Sequence, residues 1–308
     1  MEQRRRWARL GARILLALLV ACDRKAAVPA NVTVQPSAPP QQDSIEPAVA
    51  SLWRRADGTL LLLAGSDASD GWVVPTGADE PTRGIAQGVR VPAELLGRSG
   101  RIAMAVLAPT QSFACDWQRV RVSPADSLVE EVRWTIAMSV GVARGVALDS
   151  LERLSRTDSS RLVVDLARLL SGLPDDTVPR FRGLPFAVHG AWLFDVAPGV
   201  RGVVAEVHRR VAQEANPLEE RLLVLAERDS ATGARWRASW WARSQGTELD
   251  VGAPEALAVL RFARDPFPTM IAQTDDGVGG WLEVVARDAA GSWRARWRSP
   301  PRPECDAR

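Results

Sequence analysis

The chain has 308 residues and is nearly neutral, with 39 Lys and Arg against 37 Asp and Glu, a formal charge of +2. That balance gives no electrostatic reason to expect a nucleic-acid partner. Two histidines, no tyrosine and one lysine (Lys25) argue against a histidine-built zinc site, exclude a phenolic acid or nucleophile, and leave no P-loop. The chain contains no HExxH, CxxC or GxSxG pattern. Gly97-Arg98-Ser99-Gly100 does not fit the last of these. No motif implies a cofactor.

At the N-terminus, Arg4, Arg5, Arg6, Arg9 and Arg13 stand against one acid, Glu2. Ile14 to Ala21 is uncharged and apolar, and Cys22 follows. A basic segment leading into a short apolar run is the pattern of a secretory signal. The run is far short of the roughly 20 residues that span a bilayer. Leu19-Val20-Ala21-Cys22 resembles the lipobox of bacterial lipoproteins, a resemblance confined to the first 23 residues. It implies that residues 1–21 are removed and that Cys22 carries a lipid. The mature chain would then hang from a membrane in the cell envelope, outside the cytoplasm. Asp23 resembles an inner-membrane retention signal, and the choice of membrane stays open. Removing five arginines and one glutamate turns the charge of +2 into −2, so the basicity belongs to the discarded segment.

Residues 22–50 read as the lipidated Cys and a Pro-rich tether, with Pro29, Pro36, Pro39, Pro40 and Pro47 and no apolar periodicity. Such a composition cannot bury enough surface to offset its ordering entropy. Its reach is at most about 90–100 Å.

Residues 51–123 read as an N-terminal β region. Short apolar runs at Leu60–Ala64, Trp72–Val74, Val89–Val91, Ile102–Ala108 and Trp117–Val122 are separated by Gly, Pro and Asp. Residues 124–178 read as mainly helical, after an alternating stretch over Trp134–Val142 that fits a strand. Leu162, Val163, Leu166, Leu169 and Leu170 form one stripe at helical spacing, capped by Asp158 or a nearby serine and ended by Gly172 and Pro174. A shorter helix is expected over Asp149–Arg156.

Residues 179–308 read as a C-terminal antiparallel β region. Val203–Val211 and Leu222–Glu227 form a hairpin whose tip, Gln213–Glu220, holds Glu214, Glu219 and Glu220 as solvated residues. An internal echo follows. Leu222 to Asp229 leads through Gly233 to Trp236 and Trp240, and Leu282 to Asp288 leads through Gly291 to Trp293 and Trp297, which suggests a duplicated hairpin. The whole is an α+β fold, mostly antiparallel β with a central helical segment.

Four sets of residues are candidates for function. Cys115 and Cys305 remain after Cys22 is lipidated, in a compartment where disulfides persist, and their pairing is left open. His189 or His208 beside a carboxylate would make a general base, although both also fit structural or surface positions. Asp275 and Asp276 in Thr274–Gly280 faintly resemble Asp/Gly calcium loops, and a plain Asp/Gly turn explains them equally. Trp236, Trp240, Trp241, Trp293 and Trp297 alternate with arginine. On regular strands Trp236 and Trp240 share a face, as do Trp293 and Trp297, which either fills a core or forms a platform for a sugar or protein.

The sequence therefore leads to a tethered envelope lipoprotein that binds a partner protein or a cell-wall glycan. An Asp/Glu hydrolase using a single histidine and a structural envelope component are the alternatives.

Overall fold

The computed structural model describes residues 61–64, 69–74, 90–110, 117–125, 134–173, 179–211, 216–230, 234–263, 265–275 and 280–301. Cys22, the tether, Cys115, Cys305 and Asp276 lie outside them. The first strands are β1 (Leu61–Ala64), β2 (Asp70–Val73), β3 (Val91–Gly97), β4 (Gly100–Pro109), β5 (Gln118–Pro124) and β6 (Ile136–Ser139). They close into a barrel in the order β1-β2-β5-β4-β3-β6, with every pair antiparallel. Alanine, valine and leucine side chains fill its interior, among them Val73, Ala93, Leu95, Ala105, Leu107, Val120, Val122 and Ala137. Closure removes the exposed strand edges that short strands would otherwise present to solvent.

The remaining strands are β7 (Ala143–Val146), β8 (Asp149–Ser150), β9 (Ala187–Ala197), β10 (Val200–Val211), β11 (Leu218–Asp229), β12 (Arg237–Thr247), β13 (Ala253–Phe262), β14 (Thr269–Asp275), β15 (Gly280–Arg287) and β16 (Trp293–Arg298). They form two five-stranded sheets, β12-β11-β10-β9-β8 and β16-β15-β14-β13-β7. Each sheet is a four-strand meander with one short strand added beside its first member. The short strands are consecutive in the chain, so the path crosses from one sheet to the other between Val146 and Asp149. Leu148, buried between the sheets, makes the corner.

The sheets pack face to face through Phe194, Val196, Val204, Leu223 and Leu225 on one side and Ala256, Val259, Met270, Ala272 and Val285 on the other. Their outer faces are apolar as well. Leu222 to Ala226 are buried without a break, the pattern of a strand covered on both sides. Helix α1 (Arg156–Ser171) covers the outer face of the first sheet with Leu162, Leu166 and Leu170. Burying those three leucines contributes roughly 5–9 kcal/mol in transfer terms, an upper bound. The barrel covers the outer face of the second sheet: Leu96, Trp117, Ile136 and Met138 meet Leu257, Leu260, Phe262, Ile271 and Val284. The layers are thus helix, sheet, sheet, barrel.

Helix α1 begins as the sequence suggests. The Ser155 side chain accepts a hydrogen bond from the Asp158 backbone N–H at 3.1 Å and donates to the Asp158 carboxylate at 2.7 Å. It ends at Gly172, whose N–H reaches the Leu169 carbonyl. Two expectations are corrected here. Val163 belongs to the exposed flank of the stripe, because a helix resting on a flat sheet buries a narrower arc. Asp149–Arg156 is no helix. Asp149 and Ser150 pair with β9, and only a single 3-10 turn, Leu151–Arg153, precedes α1. Pairing to a neighbouring strand satisfies the backbone that a short isolated helix would leave open.

The β10–β11 hairpin matches expectation, but its tip is shorter than the sequence implied. Glu219 and Glu220 sit within β11 and are buried, while Glu214 lies outside the described residues. Arginines draw Glu220 inward: Arg209 and Arg243 pair with it, and Gln245 donates to it at 2.7 Å. Strand β3 also extends further than the Val89–Val91 run implied, to Gly97.

The β11–β12 and β15–β16 hairpins occupy matching places in the two sheets, and each carries a bulge at the same point. In the first, Leu225 opposes Trp240 and Ala226 opposes Ala238, leaving Ser239 extra. In the second, Val284 opposes Trp297 and Val285 opposes Ala295, leaving Arg296 extra.

Candidate functional site

The bulges decide where the tryptophans go. An extra residue flips every later side chain to the other face. Trp236 and Trp241 therefore face the helix layer, and Trp240 faces the space between the sheets. Trp293 lies between the sheets and Trp297 lies against the barrel layer. The shared faces expected for Trp236 with Trp240, and for Trp293 with Trp297, do not occur. The five rings serve three packed clusters and form no single platform.

Trp236 and Trp241 nonetheless come together on the helix side, in a groove of about 940 Å³. One wall is the C-terminal half of α1 and the two residues after it, with Asp165, Arg168, Leu169, Gly172 and Leu173. The other is the β11–β12 hairpin, with Arg228, Arg235, Ala238 and both tryptophans. The groove lies where the outer face of the sheet runs past its helical cover. Leu169, Leu173 and Trp241 are partly exposed there, which gives it an apolar floor. Arg161, Asp165 and Arg168 recur at i, i+4 and i+7, a charged stripe one residue before Leu162, Leu166 and Leu169.

Four arginines and one aspartate line this groove. Arg168 reaches Asp165 at 3.6 Å and Arg161 reaches Asp158 at 4.0 Å, both on the exposed helix surface. Such solvent-exposed pairs contribute a few tenths of a kcal/mol and separate easily. Arg228 is different: its guanidinium lies 4.5 Å from the Trp236 ring centre. Contact with the ring restrains the guanidinium, and no carboxylate among the described residues takes up its donors. The Trp236 indole N–H is buried with no acceptor among the described residues.

A second polar cluster sits where the barrel meets the sheets. Gly97-Arg98-Ser99-Gly100 is the tight turn between β3 and β4, with Gly100 in the left-handed region at φ +93°. The turn is pressed against β7. A Cβ on Gly145 would stand 2.7–2.9 Å from the Gly100 and Arg101 backbone, so only glycine fits. From this turn Arg98 reaches both sheets. Its Nε donates to the Ala256 carbonyl at 2.6 Å, and its Nη2 meets Glu206 at 2.5 Å and Glu255 at 3.4 Å. Its guanidinium lies 4.2 Å from the Trp192 ring, which folds back over Gly190. The Ala256 N–H donates to the same Glu206 oxygen at 3.2 Å, and the Arg98 carbonyl accepts from Leu148 N–H at 2.9 Å.

Burial pushes the Glu206 carboxyl up, outweighing the Arg98 charge that pulls it down. Glu255 is also pushed up, first by burial, against Arg98 and with help from Asp275. Both histidines border this region. His189 and His208 meet edge to face, with ring centres 6.1 Å apart. His189 is exposed, and among the described residues neither ring is hydrogen-bonded to a carboxylate. Asp275 ends β14, paired with Ala253 and Gly280, and Asp276 lies outside the described residues. Among the described residues no group of three or more His, Cys, Asp or Glu is placed to hold a metal ion.

The sequence singles out Trp236 and Trp241, as core or platform residues, and gives no sign of Arg98, Arg228 or the α1 charge stripe. Comparison with protein-family models, curated proteins and solved structures gives no match to this chain.

Removing the arginine from the joint leaves Glu206 buried without its counter-charge. Breaking a buried pair costs about 3–5 kcal/mol, and the partial exposure of Arg98 reduces that to about 2–3. A glutamate whose pKa is raised on folding holds its proton longer in the folded state, so stability falls as pH rises above about 4.3. Arg98→Met should steepen that fall between pH 5 and 8, and adding Glu206→Gln should flatten it again. Urea unfolding across this range is the measurement. A loss independent of pH, or unaffected by Glu206→Gln, would contradict the assignment.

Proposed function

We propose that this chain is a lipid-anchored envelope protein whose folded body binds a glycan in the groove between α1 and the β11–β12 hairpin. The anchor rests on the arginine-rich start, the short apolar run and Cys22 in the Leu19-Val20-Ala21-Cys22 motif. The single observation that carries the binding reading is the groove itself, which joins Trp236 and Trp241 to four arginines over an apolar floor. Its volume suits a saccharide of a few rings. Indole surfaces complement the apolar faces of sugar rings, and guanidinium forks donate to their oxygens. Lipid and tether together would hold the groove off the membrane, within reach of envelope polymers.

The hydrolase alternative has less to support it. Glu206 is engaged by Arg98 and the Ala256 N–H, and neither histidine is hydrogen-bonded to a carboxylate among the described residues.

Two experiments test the parts separately. For the anchor, Cys22→Ala should move the protein from the detergent phase to the aqueous phase on detergent partition; unchanged partition would end the lipid claim. For the groove, Trp241→Ala in the full chain should weaken binding to envelope oligosaccharides about tenfold or more by calorimetry. His189→Ala serves as the control and should leave binding unaltered. Equal loss in both variants, or in neither, would remove the groove from the account.

A further inference from the structure

The charge of the groove narrows what it holds. We infer that its ligand is an acidic saccharide, one whose rings carry carboxylate or phosphate, and that Arg228 and Arg235 read the acidic group. This rests on the glycan reading above and adds the chemical class.

Four cationic side chains and one anionic one line the groove. Counting Asp158, which pairs with Arg161 from outside the lining, still leaves two cations in excess. The excess falls on the hairpin wall. Among the described residues neither Arg228 nor Arg235 has a carboxylate partner. Arg228 is already ordered by its contact with Trp236, so little side-chain freedom is lost when an anion binds. Arg235 is exposed one residue before Trp236 and widens the cationic patch at the mouth. A guanidinium fork matches a carboxylate or phosphate with two parallel hydrogen bonds, a geometry no neutral hydroxyl reproduces.

The excess is also local. The chain without residues 1–21 carries −2, so two arginines beside two tryptophans, with no carboxylate partner among the described residues, do not follow from overall basicity. An acidic peptide or a phospholipid surface offers similar anions. The apolar floor between two walls favours rings over a flat bilayer, and partly exposed Trp241 in that floor favours a sugar face over an extended backbone.

The test uses the full chain in neutral detergent micelles, titrated with a uronate trisaccharide and with the same trisaccharide after reduction of its carboxylates to alcohols. Parallel titrations use a phosphorylated disaccharide, inorganic phosphate, an acidic decapeptide and the same micelles doped with an anionic phospholipid. The acidic saccharides should bind at least tenfold more tightly than the neutral one, and raising salt from 50 to 500 mM should erase most of that difference. Arg228→Gln and Arg235→Gln should each remove about a threefold share of the acidic preference, so that each weakens the acidic saccharide more than the neutral one. Arg235 is exposed, so its variant keeps the test open if Arg228→Gln fails to fold. Equal binding of acidic and neutral saccharides would overturn the charge inference and leave the glycan reading standing. No saccharide binding, with or without capture of the peptide or the anionic phospholipid, would overturn both.

Discussion

Leu222, Leu223, Val224, Leu225 and Ala226 are buried one after another, and successive residues of a strand point to opposite faces. Neither face of that strand meets water. The same holds for the second sheet, where Met270, Ile271 and Ala272 are buried in turn. Two sheets packed together hide only two of four apolar faces, and this constraint shapes the rest of the molecule. One remaining face takes the barrel as its cover and the other takes α1. A 16-residue helix is about 24 Å long and covers only part of a five-stranded sheet. The groove with Trp236 and Trp241 is the uncovered remainder, which is why aromatic floor and helical charges meet there.

Apolar layers slide unless something fixes their register, and buried charges do this at two ends. At the barrel end Arg98 ties one turn to both sheets through Glu206, Ala256 and Glu255. At the hairpin end Glu227 of the first sheet accepts from Arg287 at 2.8 Å and from the Trp293 indole at 2.6 Å, both in the second. Such pairs add little net stability compared with apolar packing, because desolvation cancels most of the attraction. Their effect is geometric, since each is satisfied in only one alignment of the layers. The raised Glu206 and Glu255 pKa values are the visible cost of placing carboxylates there.

Local patterns in the sequence were enough for the local elements. Helix α1, the β10–β11 hairpin and the echo between the two tryptophan hairpins all follow from periodicity over a dozen residues. Layering was less legible. The continuous apolar run at Leu222–Ala226 was read only as one arm of a hairpin, and nothing in it names the layers that cover its two faces. The Arg98 joint was out of reach, because its carboxylate partners lie 108 and 157 residues away. Gly97-Arg98-Ser99-Gly100 was read only as a failed catalytic motif. The tryptophan faces were misjudged for a smaller reason: a one-residue bulge leaves no mark in composition yet reverses every side chain after it. Adjacent Trp240 and Trp241 were a hint, since two neighbouring indoles can both be buried only in a sheet covered on both sides.

The proposed lipid anchor at Cys22 rests on the first residues alone, whereas the groove exists only in the folded body. Hydrogen–deuterium exchange on the full chain, with and without an acidic trisaccharide, tests that groove most directly. Ligand should slow exchange over residues 165–173 and 234–241, the two walls, and leave the strands around Arg98, His189 and His208 unchanged. Protection centred on that second cluster, or protection nowhere, would contradict the account.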